Sequence, residues 1–445
     1  MRCLSQIAVE GCCHGELDNI YASLALTEQR QGVKVDLLLI CGDFQAVRNA
    51  SDLAGMAVPQ KYRAMQTFYK YYSGEKLAPV LTIFIGGNHE ASAYLAELPY
   101  GGWVAPNIYY LGFAGVISVG GVRIGGLTGI YNARHYHTGH YERPPFSDDD
   151  MRSFYHVRSL DVLRLLQLRR PLDVFLSHDW PQHIAKHGNT PDLLRRKGFL
   201  ASEIADGSLG SPPAREVLEQ LKPRYWFAAH LHVKFAAAVH HLPPAEGVTR
   251  FLSLDKCLPN RDFLQLLRLE GDGSPVQISY DLEWLAVLRS TSHLQSSVRG
   301  RLPLDPALVA AASGGRDCFT PTDEEESAVR ARCPEGSLAV PTNFVPTAPA
   351  YRTGESAVGR QLEMQGENPQ TAAFVAAFGL DPNFRTQRGA TLDAGRRPAP
   401  APAPVLGGVG MPAAAVPPAS AAESQGLLAP LPMPLMDEEI ELDDD

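Results

Sequence analysis

No stretch of this 445-residue chain approaches the roughly 18 consecutive apolar residues that a membrane span needs, so a helical integral membrane protein is not expected. Met1 to Glu10 lack a basic stretch followed by a long apolar one, and no secretory signal is visible. The seven cysteines are odd in number and unevenly spaced, which argues against a disulfide framework and for a reducing compartment, cytosol or nucleus. Net basic charge is also missing. At −9 the chain looks indifferent to nucleic acid until the charge is counted by segment. Residues 1–300 hold 30 Lys+Arg against 29 Asp+Glu, whereas the remaining 145 hold 10 against 20, with seven acids between Asp437 and Asp445. The acidity therefore belongs to the tail. Residues 151–200 carry nine basic side chains against four Asp. That window reads equally as a phosphate-binding surface or as the solvated face of an amphipathic helix containing Arg158, Arg164 and Arg169.

With 45% hydrophobic residues the chain can bury a sizeable core, and its length allows about two or three structural units. Short apolar runs alternate with helical patterns: Ile7 to Val9, a helix through about 16–30, Val35 to Cys41, a helix through about 60–72, then Val80 to Ile85. Such alternation predicts an α/β architecture with strands buried under helices. Further strands are expected at 108–111, 116–119, 122–127, 174–177, 225–229 and 249–254, with helices near 151–169 and 213–221. The glycine-punctuated pairs around 110–127 predict antiparallel hairpin strands. Periodicity fades from about 300, apart from a helical pattern at Gln370–Phe378. After about 385 the Pro/Ala-rich chain cannot bury enough apolar surface to offset its entropy, and disorder is expected.

The chemically informative residues follow the expected strands: Gly11-Cys12-Cys13-His14-Gly15, Gly42-Asp43-Phe44-Gln45, Gly86-Gly87-Asn88-His89-Glu90, Ser177-His178-Asp179 and Ala229-His230-Leu231-His232. In an open α/β sheet, loops at the strand carboxyl ends form the binding crevice, so all five segments can converge on one site. As ligands they offer the Cys12 thiolate, the Asp43 carboxylate, the Asn88 amide oxygen and the four imidazoles of His14, His178, His230 and His232. The x, x+2 spacing of Cys12/His14 and His230/His232 points each pair to one face of an extended segment. Taken singly, His178 would be read as a satisfied core histidine and Asp43 as a helix cap. Five pieces in this order, each behind an apolar run, point to a metal site.

This order resembles the calcineurin-like metallophosphoesterases, whose motifs run D-x-H, G-D, G-N-H-[DE], H and G-H-x-H. Two positions depart from it, Cys12 for the first Asp and Ala229 for the last motif's Gly. A thiolate is softer than a carboxylate and favours Fe(II) or Zn(II) over Mg(II), with Mn(II) able to substitute. Only Cys12 lies two residues before His14, so Cys13 is expected to be a buried apolar side chain. The stretches GCCHGELDNIY, LLICGDFQAVRN, FIGGNHEAS, ELPYGGWVAPNIYYLG, FLSHDWP, HLHVKFAA and LDKCLPNRDFLQ further resemble the RNA lariat debranching enzymes, over roughly residues 1–300 with an echo at Asn368–Leu380. The resemblance implies a fold of two packed mixed β-sheets flanked by helices. It divides the chain into a catalytic domain over 1–245, a partly ordered C-terminal domain over 246–384 and a disordered tail over 385–445. It implies hydrolysis of the 2′–5′ phosphodiester at the branch of excised intron lariats, in the nucleus, with branched RNA as substrate and spliceosome or intron-turnover factors as partners. One metal position would be held by Cys12, His14, Asp43 and His232, and a second by Asp43, Asn88, His178 and His230, with Asp43 bridging. Metal-activated hydroxide would attack phosphorus while His89 protonates the departing O2′. Glu90 is expected either to hold the His89 ring or to be a solvated surface side chain.

Tyr131, Tyr136, Tyr141 and Phe146 are spaced five apart, with His135, His137, His140, Arg134 and Arg143 between them. That spacing suits neither helix nor strand and predicts an exposed loop whose aromatics stack on unpaired bases. The resemblance places a lariat-recognition loop at about 128–158, with Tyr131, Arg134, Tyr136, Tyr141 and Arg158 as substrate contacts. Two other readings compete. One is a metal-dependent phosphoesterase or nuclease with another substrate. The other is a scaffold without turnover, which would show eroded ligands, whereas every position here has a competent donor.

Overall fold

The computed structural model describes residues 3–142, 146–242, 247–297, 299–302, 319–355, 362 and 366–381. Its strands are β1 (Gln6–Glu10), β2 (Leu37–Ile40), β3 (Leu81–Phe84), β4 (Gly102–Ala105), β5 (Ile108–Tyr110), β6 (Ala114–Val119), β7 (Val122–Leu127), β8 (Val174–Ser177), β9 (Tyr225–Ala228), β10 (Phe235–His241), β11 (Gly247–Ser253), β12 (Leu264–Arg268) and β13 (Ile278–Tyr280). Two mixed sheets result, in the orders β12-β1-β2-β3-β5-β4 and β10-β11-β9-β8-β7-β6-β13. Their facing surfaces meet through Ile7, Val9, Leu37, Leu39 and Ile83 from one sheet and Ile124, Val174, Leu176 and Phe227 from the other. The alternate residues Ala8, Leu38, Ile40 and Phe84 point outward under the helices Leu17–Gln31 and Phe68–Tyr72. Because β2 is covered on both faces, all four of its residues are buried and it reads as an unbroken apolar run.

Local sequence explains the elements. Helix Leu17–Gln31 buries Leu17, Ile20, Tyr21 and Leu24 on one stripe and stops at Gly32, whose φ of 65° no side chain contests. Val119 pairs with Val122 across Gly120-Gly121, both at positive φ, giving the two-residue hairpin turn expected from the sequence.

Two expectations need correction. Helix 60–72 is a single turn at Gln60–Tyr62 followed by the helix Phe68–Tyr72. Helix 151–169 is two short helices, Asp148–Ser153 and Ser159–Leu165, because the chain between them runs extended: Ile130 donates to Tyr155 O and Val157 donates back to Ile130 O. The boundary expected at 245 falls between β10 and β11, and the residues beyond it supply β11 and β13 to one sheet and β12 to the other. The C-terminal part thus shares the core of the catalytic part. Arg123 reaches Asp281 and Glu283, and Arg48 binds Asp52, Glu97 and Thr347, tying late segments to early ones through buried ion pairs. The tail expected to be disordered, 385–445, lies outside the described residues. No helix among the described residues is long and apolar enough to cross a membrane.

Candidate metal centre

Strands β1, β2 and β3 run parallel, as do β7, β8, β9 and β11, so their carboxyl ends share one edge in each sheet. The five motif segments lie on these ends. Among the described residues, the ligand atoms of Cys12, His14, Asp43 and His232 fall within 4.8 Å of one another. His14 Nε2 and His232 Nε2 stand 3.2 Å apart, and His14 Nε2 is 3.6 Å from Asp43 Oδ2. The other carboxylate oxygen, Oδ1, is 3.2 Å from His178 Nε2, which is also 3.1 Å from Asn88 Oδ1. The His230 ring lies beside His178, with centroids 5.0 Å apart. Asp43 therefore stands between two donor groups, one centred on His14 and His232 and the other on Asn88 and His178.

The backbone is bent to achieve this. His14, Asp43, His230 and His232 all adopt positive φ, between 45° and 65°, a conformation that costs on the order of 1–3 kcal/mol for a non-glycine residue and persists where surrounding structure enforces it. Gly87 is obligatory here: a Cβ at this position would lie 2.2 Å from Asp43 Oδ1 and 2.6 Å from His178 Nε2.

The donor set fits a cation. Burial lowers His14 to about 4 and His230 to about 3, and it also depresses His232, so these imidazoles are neutral with lone pairs to offer. Burial would raise Asp43, but His178, His89 and His14 outweigh it and hold the carboxyl well below its usual range. His178 is itself raised: burial opposes its charge, and the Asp43 carboxylate more than compensates. Burial, and then Asp43, push the Cys12 thiol well up, so a thiolate there calls for a cation to stabilise it. Outer contacts orient the donors. Cys41 O lies 2.9 Å from His178 Nδ1, Gln45 Nε2 lies 3.3 Å from His14 Nδ1, and His230 N donates to Cys12 Sγ at 3.1 Å. His232 Nδ1 is buried without a partner.

His89 is half-buried at the mouth, its ring 5.2 Å from that of His14, and its backbone N–H donates to Asp43 Oδ1 at 2.8 Å. Glu90 neither holds that ring nor faces solvent. It is 1% exposed and accepts from the N–H groups of Phe44 (2.6 Å), Gln45 (2.8 Å) and Gly87 (3.0 Å), clamping the Asp43 loop to the Asn88 loop. Burial and the nearby Asp43 raise its carboxyl to about 8. Cys13 is buried in the apolar layer beside Leu17, as expected.

The segment after β7 is less exposed than its composition suggested. Tyr131 and Tyr136 are half-buried and meet edge to face at 5.5 Å, and Tyr131 N approaches Asp179 Oδ2 at 3.4 Å, immediately after His178. Arg134 is exposed. Tyr141 and Arg158 are corrections to the substrate-contact set. Tyr141 is buried. Arg158 is 1% exposed and binds Glu142, Ser153 and the carbonyls of Gly139 and His156, so its guanidinium organises the segment from within. Arg164 is likewise buried, on Thr291 Oγ1. Neither of the two readings of the basic window applies to these arginines. Arg143 lies outside the described residues.

Comparison with known proteins agrees with this geometry. The Calcineurin-like phosphoesterase family model matches residues 5–234, and the model of the Lariat debranching enzyme, C-terminal domain, matches residues 246–383. The lariat debranching enzyme of Homo sapiens is 54% identical over 392 residues, covering 86% of this chain and 71% of that protein. That of Arabidopsis thaliana is 50% identical over 375 residues, covering 84% and 86%. That of Drosophila melanogaster is 49% identical over 419 residues, covering 84% and 78%.

Proposed function

The chain belongs to the lariat debranching enzymes of the calcineurin-like phosphoesterase family, metal-dependent phosphodiesterases, and we propose that it opens excised intron lariats by hydrolysing the 2′–5′ phosphodiester at the branch point. The observation that carries this reading is the convergence of Cys12, His14, Asp43 and His232 on one point at a shared strand edge. Cys12, His14, Asp43 and His232 would hold one divalent ion, and Asp43, Asn88, His178 and His230 a second. A divalent ion bound there supplies Lewis acidity, neutralising phosphate charge and making water acidic enough to serve as nucleophile near neutral pH.

The remaining work falls to the protein. With the imidazoles of His14, His230 and His232 neutral and Asp43 the one carboxylate among the proposed donors, the site's own negative charge stays low, so a phosphodiester is not repelled. His89, at the mouth and outside the donor set, is placed to give a proton to the departing O2′. Its backbone bond to Asp43 fixes the ring's origin against that carboxylate. Tyr131 and Tyr136 stand beside the His178 edge, where unpaired bases can stack, and Arg134 is exposed in the same segment, where it can pair with a phosphate. The thiolate favours Fe(II) or Zn(II), with Mn(II) as a substitute. We propose the nucleus as the site of the reaction, with spliceosome or intron-turnover factors as partners, a reading supported by the family resemblance alone.

End-group analysis of the product tests the reaction. Protonation of O2′ requires a free 2′-hydroxyl at the branch nucleotide and a 5′-phosphate on the released intron end. A 2′-phosphate would overturn the role of His89.

A further inference from the structure

The segment Leu254 to Gln265 contains a stretch, LDKCLPNRDF, that supplies none of the proposed metal ligands. Its position in the fold gives it a function. Lys256 forms a parallel β-bridge with Cys12, and Cys257 N donates to Cys12 O at 3.2 Å. Bridged residues project to the same side of a pleated ladder and their successors to the other. The burial obeys that rule: Cys13 and Cys257 lie together in the apolar layer under the first sheet. Lys256 therefore shares the side of Cys12, the side of the metal centre, and it is half-exposed there. Its charge is felt at both His14 and His232.

Strand order sets the direction of approach. Along the parallel edge β7-β8-β9-β11, the carboxyl ends carry in turn the 128–158 segment, His178, His230 with His232, and the Lys256 loop. The metal centre thus has the tyrosine segment on one flank and Lys256 on the other. Around Lys256 the surface continues with Lys197, whose ammonium lies 5.8 Å from the ring centre of Phe199, and with Arg261, oriented by Asp255 at 3.5 Å. Phe199 is 50% exposed, unusual for a phenylalanine, and lies beside the Lys197 ammonium. Cations on one surface with an exposed aromatic ring beside them are the chemistry that binds unpaired RNA: ammonium groups take phosphates and the ring takes a base.

We propose that Lys256, Lys197, Arg261 and Phe199 form a second RNA-strand subsite on the Cys12 flank of the metal centre, facing the tyrosine segment across the scissile phosphate. A branched RNA has three arms leaving one nucleotide. Two flanking surfaces let the enzyme hold two arms at once, which a linear strand engages less completely. The proposal rests on the debranching reading, since it takes branched RNA as the ligand.

Equilibrium binding of a branched RNA with a non-hydrolysable phosphorothioate at the branch, followed by fluorescence anisotropy from 50 to 300 mM salt, tests it on the full-length metal-loaded protein. Lys256→Ala and Lys197→Ala are each expected to raise Kd about five- to tenfold and to reduce the slope of log K against log salt by about 0.7, one phosphate contact on a single strand. Phe199→Ala is expected to weaken binding about tenfold with the salt slope unchanged, the signature of a lost stack. Lys256→Arg should restore most of the affinity and the slope. An unchanged Kd and slope in Lys256→Ala, or a loss of affinity that tracks a loss of bound metal, would overturn the subsite. Failure of the debranching reading is separately visible: wild-type protein would then bind branched and linear RNA alike, while the lysine variants still showed the reduced slope.

Discussion

Glu90 offers a severe test of how the centre is held. Its two carboxyl oxygens take three backbone N–H groups, those of Phe44 and Gly87 on Oε1 and that of Gln45 on Oε2, in a site that water does not reach. Glu90→Ala leaves all three donors without an acceptor. At about 1–3 kcal/mol for each stranded donor, moderated by water entering the vacated space, the loss is roughly 3–5 kcal/mol. That is comparable with the whole stability of many domains. Glu90→Gln keeps Oε1 and its two bonds but turns an NH2 group toward Gln45 N–H, so it should fall between wild type and Glu90→Ala. Two readouts apply: urea unfolding of the metal-free proteins, and metal content after reconstitution and dialysis. The expected order is wild type, Glu90→Gln, Glu90→Ala in both, because the clamp sets the distance between Asp43 and Asn88. A Glu90→Ala protein within about 0.5 kcal/mol of wild type, holding a full complement of metal, would refute the clamp.

Other outcomes follow from the same structure. His89→Ala should abolish rapid branch cleavage while metal content stays at the wild-type value; loss of metal would show that His89 is a ligand. Cys12→Asp, which replaces a soft donor by a hard one, should shift the metal retained from a mixture of Fe(II), Zn(II) and Mg(II) toward Mg(II), and unchanged selectivity by elemental analysis would remove the thiolate from the donor set. Arg158→Ala breaks a buried pair with Glu142 and should lower stability by about 3–5 kcal/mol, whereas intact stability with impaired RNA binding would return Arg158 to the substrate surface. The buried pair His135–His156, with Nδ1 atoms 2.7 Å apart, should make stability fall with acidification. Burial and the adjacent Arg158 hold His156 at about 3, so as pH falls below about 6.5 the unfolded chain takes up a proton that the native state refuses. By pH 5 this amounts to about 2 kcal/mol, and His156→Gln should flatten the decline in urea midpoint between pH 7 and 5.

Much of this architecture was legible in the sequence because burial and chemistry coincide. The central strands β1, β2, β3, β7, β8 and β9 are covered on both faces, so they read as short apolar runs, and each motif begins where its run ends. The strands left unseen were β4, β10, β12 and β13. All four pair on one side only at the margin of a sheet, and β10, largely alanine and histidine, alternates between buried and exposed without a β-branched run. Residue type pointed to the candidate metal donors but not to the roles of charged side chains. Nothing in local pattern distinguishes Glu90, which clamps two loops, from a surface glutamate. Nor does it distinguish Arg158, fully enclosed by carbonyls and a carboxylate, from an RNA-binding arginine. Those roles depend on partners as far as 46 residues away for Glu90 and 19 for Arg158, brought near only by the fold.

The most direct test compares two synthetic RNAs of matched sequence, one carrying a 2′–5′ branch and the other linked 3′–5′ throughout, with protein purified anaerobically and loaded separately with Fe(II), Zn(II) or Mn(II). Rapid cleavage confined to the branch under at least one loading is the expected result. Equal cleavage of both RNAs, or cleavage of neither under any loading, would contradict it.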